Sequence, residues 1–250
     1  MDQDPTRRFS VRVDAYARYR PTYPEEVAAL AERECGLRAG QTVADIGCGT
    51  GLLARLFLER GCHVFGVEPN PEMRDAGQKA LAELAHFQSI DGRAESTTLS
   101  TASVDLVAAG QAAHWFDADL ACTEFRRILK PGGWLMLVWN ERKRDAGFMR
   151  DYEALIARHA PEQPRIDAER ITRLFDGRGW RMARFDHHQA LDAEGLRGRV
   201  ASSSYTPLPG TGAFAVLLAE VDGLFARHQR DGSVKVKYST EVYYGRPGVL

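Results

Sequence analysis

From residue 42 to residue 139 the chain alternates short, mostly apolar runs with amphipathic segments, and few folds accommodate that alternation. Thr42–Ile46, His63–Val67, Phe87–Ile90, Val104–Ala109 and Trp134–Trp139 read as strands. Helical patterns separate them. One runs through Leu52, Leu53, Leu56 and Phe57 to a stop near Gly61, and a second begins near Pro71. A third spans Asp117 to Leu129 and ends at Lys130-Pro131-Gly132-Gly133. Strand, helix, strand with short connections builds a parallel sheet with helices on both faces. Trp134–Trp139 is apolar at every position, which suits a central strand buried on both sides.

A chain of 250 residues buries one substantial core, so residues 1–250 are expected to form a single domain. Residues 1–40 would form an N-terminal helical lid, 41–140 the core, and 141–250 a variable cap with closing strands. Pro24 opens a helix with Val27, Leu30 and Ala31 on one face and Glu25 and Glu26 in its first turn. Beyond Asn140, residues 141–179 are charged and helix-prone, and Trp180–His188 reads as a strand. A helix is expected over Asp192–Tyr205, and another through Phe214, Leu217, Leu218, Val221 and Phe225. The tail Ser233–Tyr244 is β-prone, with Val234, Val236 and Tyr238 alternating. Two late strands without a short helical crossover predict an antiparallel finish. The expected fold is α/β, a doubly wound, seven-stranded, mostly parallel sheet with a helical cap.

Composition excludes several functions. Thirty-three basic against 34 acidic side chains leave a formal net charge of −1, with no footprint for nucleic acid or an anionic membrane. Cys35, Cys48, Cys62 and Cys122 form no CxxC pair, disulfide framework or zinc motif. The start MDQDPTRRFS lacks the apolar core of a signal peptide, and no apolar run has the length of a membrane span. A cytoplasmic protein with reduced thiols is expected. His187 and His188 are adjacent on a strand and face opposite sides, so no metal site is read there. The run Arg142-Lys143-Arg144, flanked by Glu141 and Asp145, reads as a solvated loop.

The chemical signal lies in Val43-Ala44-Asp45-Ile46-Gly47-Cys48-Gly49-Thr50-Gly51. Glycines after a buried strand let the backbone turn sharply and approach a ligand, and the next helix offers it unpaired N–H groups. Glu68 ends the second strand about 20 residues further on, where an acid accepts hydrogen bonds from ribose hydroxyls. The spacing is G-x-G-x-G, and Leu52 stands where a dinucleotide fingerprint wants its third glycine. No Gly-Lys-Ser/Thr follows, which excludes a phosphate loop. Asp45 would repel a pyrophosphate but suits an ammonium-bearing ligand such as the methionyl part of S-adenosylmethionine. Three glycines alone would fit a tight structural turn; Asp45 before them and Glu68 after them favour ligand binding.

The successive stretches VADIGCGTG, GVEPNPEM, GRAE, SVDLVAAGQAAHWFD and RRILKPGG resemble the motifs of class I S-adenosylmethionine-dependent methyltransferases. They are most similar to the methyltransferase type 11 group that includes trans-aconitate methyltransferase-like proteins. The resemblance covers roughly residues 10–140, and 238–245 look like that group's closing strand. It implies S-adenosyl-L-methionine as cofactor, with Asp45, Gly47, Cys48 and Gly49 around its methionine end and Glu68 on the ribose. Pro69 and Met73 would wall the adenine, Ala94 and Glu95 would meet its ring and amino group, and Ala109, Gly110 and Gln111 would line the methyl donor. Many relatives carry Asp where this chain has Arg93, a departure that bears on the adenine contact.

The resemblance also implies a small-molecule methyl acceptor, methylated on oxygen or nitrogen. Beyond Gln111, His114 and Trp115 fall at the carboxyl edge of the sheet, where doubly wound folds place ligands. His114 is either a general base toward a hydroxyl or amine, or the cap of the next helix with Trp115 merely packing. In the resembling group the segment holding Tyr16, Tyr19 and Arg20 is a lid over the cofactor, and Arg20 would meet a carboxylate; the alternative is a helix packed on the sheet. Arg197, Arg199 and Tyr205 lie where such folds build their substrate cap. Two other functions keep the same pocket: non-methylating chemistry such as cyclisation, and a non-catalytic sensor of the cofactor.

Overall fold

The alternation is realised in the computed structural model, which describes residues 12–160 and 165–248. The first eleven residues of the expected lid lie outside the described residues. The strands are β1 (Thr42–Ile46), β2 (His63–Val67), β3 (Phe87–Ile90), β4 (Val104–Gly110), β5 (Leu129–Arg142), β6 (Arg181–Leu191) and β7 (Val234–Gly245). The helices are α1 (Val13–Tyr19), α2 (Glu26–Glu34), α3 (Leu52–Leu58), α4 (Pro71–Ala80), α5 (Ala118–Ile128), α6 (Phe148–His159), α7 (Ala168–Leu174), α8 (Ala193–Ala201) and α9 (Gly212–His228).

Seven strands form one sheet in the order β3-β2-β1-β4-β5-β7-β6. Strands β1 to β5 pair in parallel, and β7 runs antiparallel to both β5 and β6. The chain winds outward from β1 to β3 and then crosses back to β4. The carboxyl ends of β1 and β4 therefore flank the point where the winding reverses, and a crevice opens there.

Strand periodicity sorts the core into two layers. Val43, Val64, Leu106 and Val138 meet Val27 and Leu30 of α2 and Leu53 and Phe57 of α3. Their neighbours Ala44, Val107 and Leu137 face the other way, toward Phe125 and Ile128 of α5 and Leu174 of α7. A separate cluster joins Tyr152 and Ile156 of α6, Val200 of α8 and Val221 of α9 to Val236 and Tyr238 of β7. This third cluster is the cap.

Local chemistry sets the boundaries that matter. Asn70 caps α4 by accepting from the Met73 N–H at 2.8 Å, with Pro71 in the first turn. Two boundaries differ from the sequence expectation by more than three residues. Strand β5 begins at Leu129, which pairs with Val104, and a register shift takes up Lys130-Pro131-Gly132-Gly133. Helix α8 stops at Ala201 rather than Tyr205. The Ser202 hydroxyl donates to the Arg199 carbonyl at 2.8 Å and Thr206 Oγ1 to the Val200 carbonyl at 3.1 Å, satisfying the last turn so the chain can leave it. Among the described residues, no helix is long and apolar enough to cross a membrane.

Candidate functional site

Two adjoining clefts open at the carboxyl edge of the sheet. The first is built on the glycine loop after β1. Gly47 has φ +68°, and a Cβ there would stand 2.7 Å from the Ala112 Cβ, so the loop and the segment after β4 approach as only glycine permits. The loop is clamped from β2: Glu68 Oε2 accepts from the Gly49 N–H at 3.0 Å, and Oε1 accepts from the Asn70 N–H at 3.0 Å. Burial raises the Glu68 carboxyl above its ordinary range, against the pull of these two N–H groups.

Beneath the loop lies Asp45, 1% exposed. Neither of its carboxylate oxygens has a hydrogen-bond partner among the described residues. Burial pushes its carboxyl up to about 7; the nearby Ala54 N–H, too poorly placed for a hydrogen bond, pulls the other way, and the Glu68 carboxylate adds to the rise. A buried carboxylate without partners is costly unless something cationic meets it.

Gly47, Gly49, Glu68, Pro69, Met73, Ala94, Glu95, Gly110, Gln111, Tyr16 and Trp115 line this first cleft. Arg93, Ala112 and Phe116 line it as well. The two remaining loop residues sit elsewhere. Asp45 underlies the loop, and the Cys48 thiol is turned beneath β2, where a Cβ on Gly66 would stand 2.8 Å from its sulfur. Burial raises the Cys48 thiol well above its ordinary range, so it stays protonated. Glu95 Oε1 accepts from the Asp117 N–H at 2.8 Å, which ties the cleft wall to the start of α5.

Gln111 closes the floor. Its φ of +54° is unusual for a non-glycine residue. Two bonds to β5 hold it there: its N–H donates to the Val138 carbonyl at 2.9 Å, and its Oε1 accepts from the Asn140 N–H at 2.6 Å. A 3₁₀ turn, Ala113–Trp115, follows directly.

The second cleft is lined by His114, Trp139, Asn140, Arg142, Arg199 and Tyr205, among others. Tyr16, Gln111 and Trp115 line both clefts and so form the boundary between them. His114 does not cap α5; Asp117 does, accepting from the N–H groups of Asp119 and Leu120. Instead the imidazole lies between the rings of Trp115 and Trp139, at centroid distances of 4.6 and 5.2 Å. Both ring nitrogens are buried without a hydrogen-bond partner among the described residues. Burial lowers the imidazole to about 3, with Arg170 and Arg20 contributing, so the ring is neutral at physiological pH.

Three sequence expectations need correction. Tyr19 lines neither cleft: its ring covers Gly198 and its hydroxyl donates to Glu194 Oε1 at 2.9 Å, fastening α1 to α8. Arg20 lines the second cleft rather than the first, with its guanidinium 4.8 Å from the Tyr16 ring centroid. Arg142 is not in a solvated loop. It ends β5, where it pairs with Tyr238 in register, and it binds the Glu153 carboxylate and the Tyr205 hydroxyl. A period-two reading carried past Trp139 would have placed Asn140 and Arg142 on one face of the strand. Of the other cap candidates, Arg199 and Tyr205 reach the second cleft, while Arg197 is spent on Asp222 at the surface.

This sheet order, with a glycine loop after β1 and an acid ending β2, defines a methyltransferase-type nucleotide fold. A family model described as a methyltransferase domain matches residues 44–137. An uncharacterised methyltransferase of Mycobacterium tuberculosis is 39% identical over 156 residues, which is 62% of this chain and 61% of that relative. The chain thus spans about three fifths of that relative's length. An uncharacterised methyltransferase of Schizosaccharomyces pombe is 30% identical over 178 residues, 70% of this chain and 68% of that protein. A solved structure from Anaeromyxobacter dehalogenans, provisionally classed as a type II methyltransferase, superposes with a TM-score of 0.68 at 21% identity, covering 93% of this chain and 100% of its own. The chain belongs to the class I S-adenosylmethionine-dependent methyltransferase family.

Proposed function

We propose that the protein transfers a methyl group from S-adenosylmethionine to an oxygen or nitrogen of a small-molecule acceptor. The observation that carries this reading is the junction of two clefts at Tyr16, Gln111 and Trp115. One cleft is fitted for the donor, and the other is free for an acceptor.

The residues of the first cleft fit the cofactor. The orphaned Asp45 carboxylate matches an ammonium group, and Gly47 and Gly49 leave backbone room for the methionine end above it. Glu68 spends one contact per oxygen on the protein and keeps lone pairs for ribose hydroxyls. Pro69, Met73, Ala94 and Glu95 supply the wall and rim of an adenine pocket, and Gly110 and Gln111 face the acceptor side. Cys48 contributes backbone only. Tyr16 lies over Gly49 as the lid.

When bound, the cofactor supplies a sulfonium-activated methyl group, so the chain's task is alignment and exclusion of water. Tyr16 and Trp115 cover the junction, while Gln111 holds a fixed, strained position at its floor. Neutral His114 can accept a hydrogen bond from an acceptor hydroxyl or amine through either ring nitrogen, orienting a lone pair toward the donor.

A screen of small acceptors for release of S-adenosylhomocysteine tests the proposal. Turnover with any acceptor supports it. Tight binding without consumption across the screen makes the protein a sensor, and consumption without a methylated product points to other chemistry in the same pocket.

A further inference from the structure

The second cleft contains a buried positive charge that no carboxylate of the described residues neutralises. Arg199, on α8, is 3% exposed. Its Nε donates to the Tyr238 hydroxyl at 3.0 Å, and its Nη1 to Ser203 Oγ at 2.9 Å and, longer, to Ser202 Oγ at 3.5 Å. All three partners are neutral, Arg199 has no ion pair, and its Nη2 makes no hydrogen bond among the described residues. Arg142 in the same cleft, by contrast, is compensated by Glu153, as Arg127 is by Glu124. Burying a guanidinium without a counter-charge costs several kcal/mol, and a neutral side chain would pack against Tyr238 more cheaply.

The surroundings add to the imbalance. Among the described residues, the arginines Arg20, Arg142, Arg165 and Arg199 line this cleft, against the acids Glu141 and Glu153. Glu153 is already taken by Arg142. The Tyr205 phenol registers the local field: burial works against its ionisation, yet Arg142 and Arg199 outweigh burial and bring it down to about 8. An arginine with open, directed donors inside a cationic cleft is a recognition site for planar or tetrahedral oxyanions.

Building on the methyl-transfer reading above, we propose that the second cleft recognises an oxyanion on the methyl acceptor, a carboxylate or a phosphate, with Arg199 as the principal binding residue and Arg20, just past the end of α1, assisting. The acceptor therefore belongs to the small organic acids or phosphate esters.

Titrations of the full chain, with and without S-adenosylhomocysteine, test this with three probes: succinate, inorganic phosphate, and succinamide as the neutral match for succinate. At least one oxyanion is expected to bind while succinamide does not, and whichever binds more tightly identifies the source of the anion. Arg199→Gln should weaken that binding about tenfold or more and leave affinity for S-adenosylhomocysteine unchanged. Arg20→Gln, at a half-buried position, gives a second reading should Arg199→Gln fail to fold. Equal binding of succinate and succinamide, no oxyanion binding to the parent, or full oxyanion affinity in the variants overturns the proposal. Failure of the parent to bind S-adenosylhomocysteine counts instead against the methyl-transfer reading, and the cofactor-free titrations still decide the anion question.

Discussion

The Arg12 guanidinium donates to the Ser203 carbonyl at 2.5 Å, joining the foot of α1 to the loop after α8 across 191 residues of sequence. The same group reaches the carbonyls of Ala201 at 2.7 Å, Thr206 at 2.8 Å and Pro207 at 3.1 Å. The helix carrying Tyr16, which lines both clefts, is thereby fastened to the loop carrying Tyr205, which lines the second. Helix α1 and the loop after α8 should move as one unit.

Arg12→Met removes the charge and keeps most of the apolar stem. We expect a stability loss of about 1–3 kcal/mol, since several buried carbonyls lose a charged donor. Hydrogen exchange should accelerate together over residues 13–20 and 201–207. Acceleration in only one of the two segments would mean that they are not coupled through this side chain.

Asp45 should make folding depend on pH, and binding too where a ligand ammonium group meets it. Its carboxyl is raised from 3.8 to about 7 in the folded chain, so its stabilising contribution is complete below pH 4 and is lost as pH rises to 7. The melting temperature of Asp45→Asn relative to the parent should therefore increase between pH 4 and 7 and level off above. A ligand ammonium group favours the ionised carboxylate, so binding below pH 7 releases a proton and affinity should rise from pH 6 to pH 8. Calorimetry of S-adenosylhomocysteine binding across that range checks the sign; affinity independent of pH would place the ammonium elsewhere.

His114 should stay neutral well below the ordinary range of an imidazole. Burial lowers it to about 3, so it supports stability above pH 6.5, and that support is lost as pH falls toward 3. Nitrogen-15 spectra of the histidine rings should show one that does not titrate between pH 8 and 5 and that disappears in His114→Ala. Titration of that ring near pH 6.5 would show a solvated imidazole and remove its proposed part in holding an acceptor.

The first cleft was legible in the sequence as geometry because each of its parts is local. A strand empties into glycines, an acid ends the next strand, and the sheet brings Glu68 to Gly49 through parallel pairing of β1 with β2. The second cleft was legible only in pieces: Arg20, His114, Arg199 and Tyr205 stood out singly, but Arg142 and Glu153 did not, because the residues come from separate elements that the cap packs together. Arg142 was hidden for a specific reason. Its run is charged on both flanks, yet the ladder with β7 extends to it and directs it to Glu153, while its neighbour Lys143 pairs with Asp186. Tyr19 misled in the opposite sense: it shares α1 with Tyr16, but its ring is taken up by the glycine surface of α8.

Calorimetric titration of the parent and of Glu68→Ala with S-adenosylhomocysteine is the most direct test of the cofactor cleft. Glu68 faces that cleft and at the same time holds the glycine loop through the Gly49 N–H at 3.0 Å. The parent should bind one equivalent, and the variant should bind about tenfold more weakly or worse, a loss of roughly 1.4 kcal/mol. A folded parent that binds neither S-adenosylmethionine nor S-adenosylhomocysteine, or a variant that binds as tightly as the parent, would contradict the assignment of this cleft to the methyl donor.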